Sequence, residues 1–142
     1  MVLHYAHLCA AAGGVDAFLI GTEMRGLTTI RSGASAYPAV QAFRDLAADV
    51  RSILGFGTAI SYAADWSEYF GHQPGDDEAG NATGSSDPPN GDVFFHLDPL
   101  WADAEIDFVG IDNYMPLSDW RDGFEHADAQ EGWPAIYDRA YL

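Results

Sequence analysis

VDAFLIGTEMRG, residues 15–26, is the stretch on which the reading of this chain turns. From Val15 to Gly21 it is apolar at all but one position, the pattern of a strand covered on both faces as in a parallel sheet. It then runs straight into Thr22, the carboxylate of Glu23 and the cation of Arg25, and Gly26 marks a turn. Upstream, Val2, Tyr5, Leu8, Cys9 and Ala12 recur at helical spacing and Gly13-Gly14 supplies a stop, so a helix precedes the strand. Downstream, Tyr37-Pro38 opens a second helix with an apolar stripe at Val40, Phe43, Leu46, Val50 and Ile53 and a cap at Gly55.

The same ending recurs twice. GTAISYAADW, residues 57–66, reads as a second strand ending on Asp65 beside Trp66, and EIDFVGIDNYMP, residues 105–116, as a third ending on Asp112, Asn113 and Tyr114. Between them, residues 70–92 are crowded with Gly, Pro, Asp, Asn and Ser and read as a long loop. Asp98-Pro99 opens a short helix through Ala104, and WPAIYDRAYL, residues 133–142, begins another. Helices alternating with doubly apolar strands predict an α/β fold with a parallel sheet, in one domain over residues 1–142. A closed eight-fold β/α barrel takes about 250 residues, so 142 residues and three strands do not complete one.

Charge narrows the function. The formal net charge is -16; residues 1–64 hold four acids and four arginines, residues 65–142 eighteen acids and two arginines. Such a field repels phosphate backbones and anionic lipid, which argues against nucleic-acid or membrane-surface binding and leaves neutral ligands such as sugars open. No stretch has the apolar length of a membrane span, so no membrane insertion is expected. Cys9, the single cysteine, is expected as a small hydrophobe. The five histidines lack ligand spacing, and neither phosphate-binding nor dinucleotide fingerprints occur, so no metal and no cofactor is expected.

In parallel α/β folds, ligands gather beyond the carboxyl ends of the strands. All three strands would deliver polar groups there: Thr22, Glu23 and Arg25; Asp65, Trp66, Glu68 and Tyr69; Asp112, Asn113 and Tyr114. Carboxylates can protonate or attack at a sugar carbon, ring faces stack on pyranoses, and amides bind hydroxyls. Glu23 is the catalytic candidate, and Asp65, Glu68 and Asp112 are secondary acids. Arg25, Trp66, Tyr69, Asn113, Tyr114 and Trp120 are candidate substrate contacts. Each has a plainer reading: Glu23 as a surface acid paired with an arginine, Asp65 and Glu68 as helix-capping or solvated acids, Asp112-Asn113 as turn formers.

Four segments together carry a family resemblance: HYAHLCAAAGGVDAFLIGTEMRGLT (4–28), YPAVQAFRDLAADVRSILG (37–55), TAISYAADWSEYFGH (58–72) and FHLDPLWADAEIDFVGIDNYMPLSDWRDG (95–123). In this order they closely resemble the TIM-barrel-like, glycoside-hydrolase-like domain of gene transfer agent and phage-tail host-specificity proteins. The resemblance implies a partial (β/α)8 barrel of about three central units, the strands being roughly the fourth, fifth and sixth. It implies a component of a phage-like particle that cleaves or binds cell-envelope glycans and contacts other tail or baseplate proteins. A non-catalytic structural or receptor-binding module is the alternative. Related barrel glycosidases carry their acid/base glutamate at the end of the fourth strand, where Glu23 falls, usually after Asn; here the preceding residue is Thr22. Their partner carboxylate lies on a later strand, expected beyond Leu142, so these residues by themselves are expected to be inactive.

Overall fold

A computed structural model describes residues 1–33, 35–71, 93–114, 118 and 120–141. Along the chain run α1 (Val2–Ala11), β1 (Ala17–Thr22), α2 (Arg25–Thr28), α3 (Pro38–Leu54), β2 (Ala59–Asp65), α4 (Trp66–Tyr69), α5 (Asp98–Trp101), β3 (Gly110–Asp112) and α6 (Ala127–Gln130). The strands form one parallel sheet in the order β1-β2-β3, with helices between them, the α/β arrangement of part of a TIM-like barrel. Most of the expected long loop, residues 72–92, lies outside the described residues.

Local chemistry accounts for the principal elements. α1 closes where Gly13 and Gly14 both take positive φ and the Gly14 N–H reaches back to the Cys9 carbonyl at 2.9 Å. α3 starts on Pro38, whose missing N–H costs nothing in the first turn, and ends at Gly55 with φ 74°. Its inward side buries Val40, Phe43, Ala47 and Val50 against Ile20 of β1 and Ile60, Tyr62 and Ala64 of β2. Leu46 and Ile53 of the expected stripe are half-buried, and Ala47 and Arg51 are buried in addition. Large apolar side chains stay exposed at Leu19 of β1 and at Phe108 and Val109 just ahead of β3.

Arg51 ties the amino-terminal end of the sheet together. Its guanidinium donates to Asp107 Oδ2 at 2.5 Å, Glu105 Oε2 at 3.1 Å and the carbonyls of Gly55, Thr58 and Glu105 at 3.0, 2.6 and 3.1 Å. Asp107 Oδ2 also accepts the Ile60 N–H at 2.7 Å. That contact shortens the third strand, expected over residues 105–116 and paired only over Gly110–Asp112. Ahead of Gly110 the segment lies alongside β2 and keeps one backbone bond to it, Asp107 N–H to Ile60 O at 2.9 Å, but side chains take two of the other backbone groups. The Asp107 carboxylate holds Ile60 N–H, and the Ser61 hydroxyl holds the Phe108 carbonyl at 2.5 Å.

Two helix expectations are corrected. WPAIYDRAYL does not form a helix over its described residues. It makes separate turns, Asp138 N–H to Ala135 O and Tyr141 N–H to Asp138 O, while the Asp138 carboxylate takes the Ala140 N–H that a continuing helix would need. A short helix stands just before it instead, α6, whose Ala129 N–H is capped by His126 Nδ1 at 3.2 Å. The helix expected from Asp98 through Ala104 ends at Trp101, with Leu97 and not Asp98 in the capping position.

Candidate functional site

The carboxyl end of the sheet is shaped by an irregularity in β1. Leu19 pairs with Ser61 and Thr22 with Ala63, so β1 carries one residue more than β2 across this interval, a bulge at Ile20-Gly21. Gly21 permits it: a Cβ there would lie 3.1 Å from the Phe43 ring and 3.3 Å from the Tyr62 ring. Beyond the bulge the Glu23 N–H still bonds the Ala63 carbonyl at 2.9 Å, and the backbone then turns left-handed. Among the described residues Glu23 is the one non-glycine residue with positive φ, at 51°. For a side chain that is neither Gly, Asn nor Asp this conformation costs about 1–2 kcal/mol, and such strain clusters at functional sites.

The exposed Glu23 carboxylate lies beside the Tyr114 phenol. Glu23 is the main reason the Tyr114 phenol lies above its ordinary value; the charges of Asp112 and Asp65 add to it, which brings all three strand ends within one electrostatic neighbourhood. Thr22 Oγ1 donates to Asp112 Oδ2 at 2.8 Å, joining the first strand end to the third. Thus Glu23, Asp65, Asp112 and Tyr114 share one rim, as the strand-end pattern predicts.

Asp65 is committed to local structure. It caps α4, accepting from the Ser67 N–H at 2.8 Å and from the Ser67 hydroxyl, and the Glu68 side chain completes a capping box on the Asp65 N–H. The Ser67 hydroxyl first, and its N–H second, hold the Asp65 carboxyl below the usual carboxylate range. Trp66 follows at the start of α4, edge-on to Phe70 with centroids 5.7 Å apart. Tyr69 is exposed and lines a hollow of about 480 Å³ with Phe70, Phe95, Leu97, Trp101 and Val109. Arg25 opens α2 directly after the strained turn, and Asn113 is exposed beside Tyr114. The ring contacts of Trp120 are with His126 and Tyr141, and nothing among the described residues ties it to Glu23.

Glu68 turns inward and is 2% exposed. Its carboxylate accepts the Thr28 hydroxyl at 2.5 Å, the Tyr62 hydroxyl at 3.1–3.2 Å and the Asp65 N–H at 2.8 Å. Tyr62 in turn accepts the Met24 N–H at 2.7 Å, and His96 Nε2 lies 3.3 Å from Thr28 Oγ1. Burial raises the Tyr62 phenol far above its ordinary range and pushes His96 below its own, so both are neutral at physiological pH. Sequence reading passed over Tyr62, Thr28 and His96. The available signal was a tyrosine inside a doubly apolar strand, because a buried phenol requires a polar partner.

Among the described residues no group of three or more His, Cys, Asp or Glu is arranged to hold a metal ion, and no helix is long and apolar enough to cross a membrane. Compared with known proteins, residues 1–142 match the family model described as the GTA TIM-barrel-like domain. No curated protein and no solved structure matches the chain.

Proposed function

The chain belongs to the family of GTA TIM-barrel-like domains, and on that premise we propose that it forms the acid/base portion of a glycan-cleaving barrel, with Glu23 as the proton-transferring residue. The observation that carries this reading is Glu23 itself: a strained, left-handed glutamate aimed by a strand bulge at the carboxyl end of a parallel sheet, where TIM barrels keep their active sites. Glu23 protonates the leaving glycosidic oxygen; in a retaining reaction it then takes the proton of the water that hydrolyses the glycosyl-enzyme intermediate, and in an inverting one the second carboxylate activates the water. The reaction needs a second carboxyl group, about 5 Å away for retention or about 6.5–9.5 Å for inversion. In the resembling enzymes that group comes from a later strand. Trp66, Tyr69 and Tyr114 offer ring faces to pyranoses, and Asn113 and Arg25 offer hydrogen bonds to hydroxyls. The acidic second half favours a glycan without dense negative charge. Cell-envelope glycans are the proposed substrate and other tail or baseplate proteins the proposed neighbours.

Glu23→Gln in the full-length protein tests this. General acid–base catalysis contributes about 10²–10⁴-fold, so hydrolysis of peptidoglycan or capsular glycan should fall by at least about 100-fold. Turnover at the wild-type rate would remove Glu23 from the mechanism. A second reading, a receptor-binding tail module without turnover, draws on Thr22, which stands where the resembling glycosidases carry Asn and spends its hydroxyl on Asp112. Glycan binding by the full-length protein without product release would favour it.

A further inference from the structure

The geometry points to Tyr62 and Glu68 as positioning residues that hold the Glu23 carboxylate in place from beneath the rim. This inference rests on the acid/base reading of Glu23.

The strained residue needs an external restraint, because a glutamate relaxes out of a left-handed conformation unless its flanks are held. On its amino-terminal side the restraint is the Glu23 N–H to Ala63 O bond of the sheet. On its carboxyl-terminal side it is the Met24 N–H, which ends on the Tyr62 hydroxyl at 2.7 Å. Tyr62 is fully buried at the middle of β2, so its ring cannot follow a moving loop. Its hydroxyl is oriented by Glu68, since the phenol proton goes to the carboxylate and leaves a lone pair for Met24.

Glu68 also grips both turns that carry rim residues. Its bond from Thr28 holds the far end of α2, the helix that begins two residues after Glu23, and its bond from the Asp65 N–H holds the second strand end. Thr28 is backed by His96, so the hub is enclosed on that side as well. One buried carboxylate with three donors therefore locks Glu23 relative to Asp65 and Trp66. Its side chain is 2% exposed and its oxygens are taken up by these donors, which is why its role is positional and not catalytic.

The test uses three variants in the full-length protein: Tyr62→Phe, which keeps the ring and removes the acceptor of Met24 N–H; Thr28→Val, which removes one Glu68 donor; and Thr28→Ser, which restores it. Two readouts are needed, kcat and KM on glycan, and the titration of Tyr114 followed by NMR. Tyr114 reports the place of the Glu23 carboxylate, being raised chiefly by its proximity. Misplacement of a reacting group by an ångström costs up to about 100-fold, so Tyr62→Phe and Thr28→Val should lower kcat by about 10- to 100-fold with KM little changed. Tyr114 should titrate closer to an ordinary tyrosine, and Thr28→Ser should recover both readouts. An unmoved Tyr114 titration, or an unchanged kcat in an active protein, overturns the positioning role. If the unmutated protein shows no turnover, the acid/base reading falls, and the Tyr114 titration alone still decides whether Tyr62 and Glu68 hold Glu23.

Discussion

Replacing Arg51 by methionine should cost about 3 kcal/mol of stability without touching the rim. Arg51 is 6% exposed and spends one guanidinium on five hydrogen bonds, two to carboxylates and three to backbone carbonyls. Methionine fills similar space and donates nothing. Removing one partner of a buried ion pair costs about 3–5 kcal/mol. Here the lower end applies, because the Asp107 and Glu105 side chains are 43% and 29% exposed and can rehydrate, and Asp107 keeps its bond from the Ile60 N–H. The Thr58 carbonyl is buried and loses its 2.6 Å partner outright, worth about 1–3 kcal/mol by itself. Urea unfolding of the full-length protein, followed by tryptophan fluorescence, should show the midpoint falling, with an unfolding constant raised more than about a hundredfold. The pH dependence supplies a second check. The Ile60 N–H first, and Arg51 next, hold the Asp107 carboxyl below its usual range. Its contribution is therefore complete above about pH 4 and disappears as pH falls through the lower folded value. In Arg51→Met the Ile60 bond survives, so the acid-side loss of stability shrinks without vanishing. A stability change under about 1 kcal/mol would show that water replaces the guanidinium adequately, and the knot would then be incidental.

Further expectations address the site and the sheet. Glu23→Gly removes the left-handed strain and should raise the melting temperature, by about 1 kcal/mol in stability, while abolishing any glycan cleavage; a destabilised variant would contradict the strain. Gly110→Ala sets a Cβ 2.7 Å from the Tyr62 carbonyl and should cost about 1–3 kcal/mol in thermal denaturation by prising β3 from β2, whereas an unchanged melting curve would argue against that close packing. His96 is lowered chiefly by burial, so stability should be complete above about pH 6.5 and decline as pH falls toward its lower folded value. Replacing His96 by Asn should flatten that part of the pH-stability profile, and an unaltered slope would mean that His96 is not its source.

The parallel α/β arrangement, the α1 stop at Gly13-Gly14, the span of α3 and the strand-end rim were all legible in the chain, because each depends on local rules. Apolar periodicity marks elements over several residues, glycine and proline mark their ends, and parallel strands set their carboxyl ends together. Those rules place Glu23, Asp65, Asp112 and Tyr114 at one edge from spacing alone. They failed where a side chain took over a backbone hydrogen bond, as Asp107 does at Ile60 and Asp138 at Ala140, because such substitutions depend on partners that spacing does not reveal.

What the sequence determined by itself is therefore the order of α1, β1, α3, β2, α5 and β3, the direction of the strands and the identity of the acids at their ends. Only the tertiary structure sorted those acids into roles. Asp65 caps a helix, Glu68 sinks to 2% exposure as the hub of a buried network, and Glu23 is left exposed on a strained turn. The physical reason is that a carboxylate's function follows from its donors and its contact with water. Among the donors of Glu68, the Asp65 N–H is three residues away and Tyr62 six, but Thr28 lies 40 residues away along the chain and is adjacent only once β1 and β2 have paired.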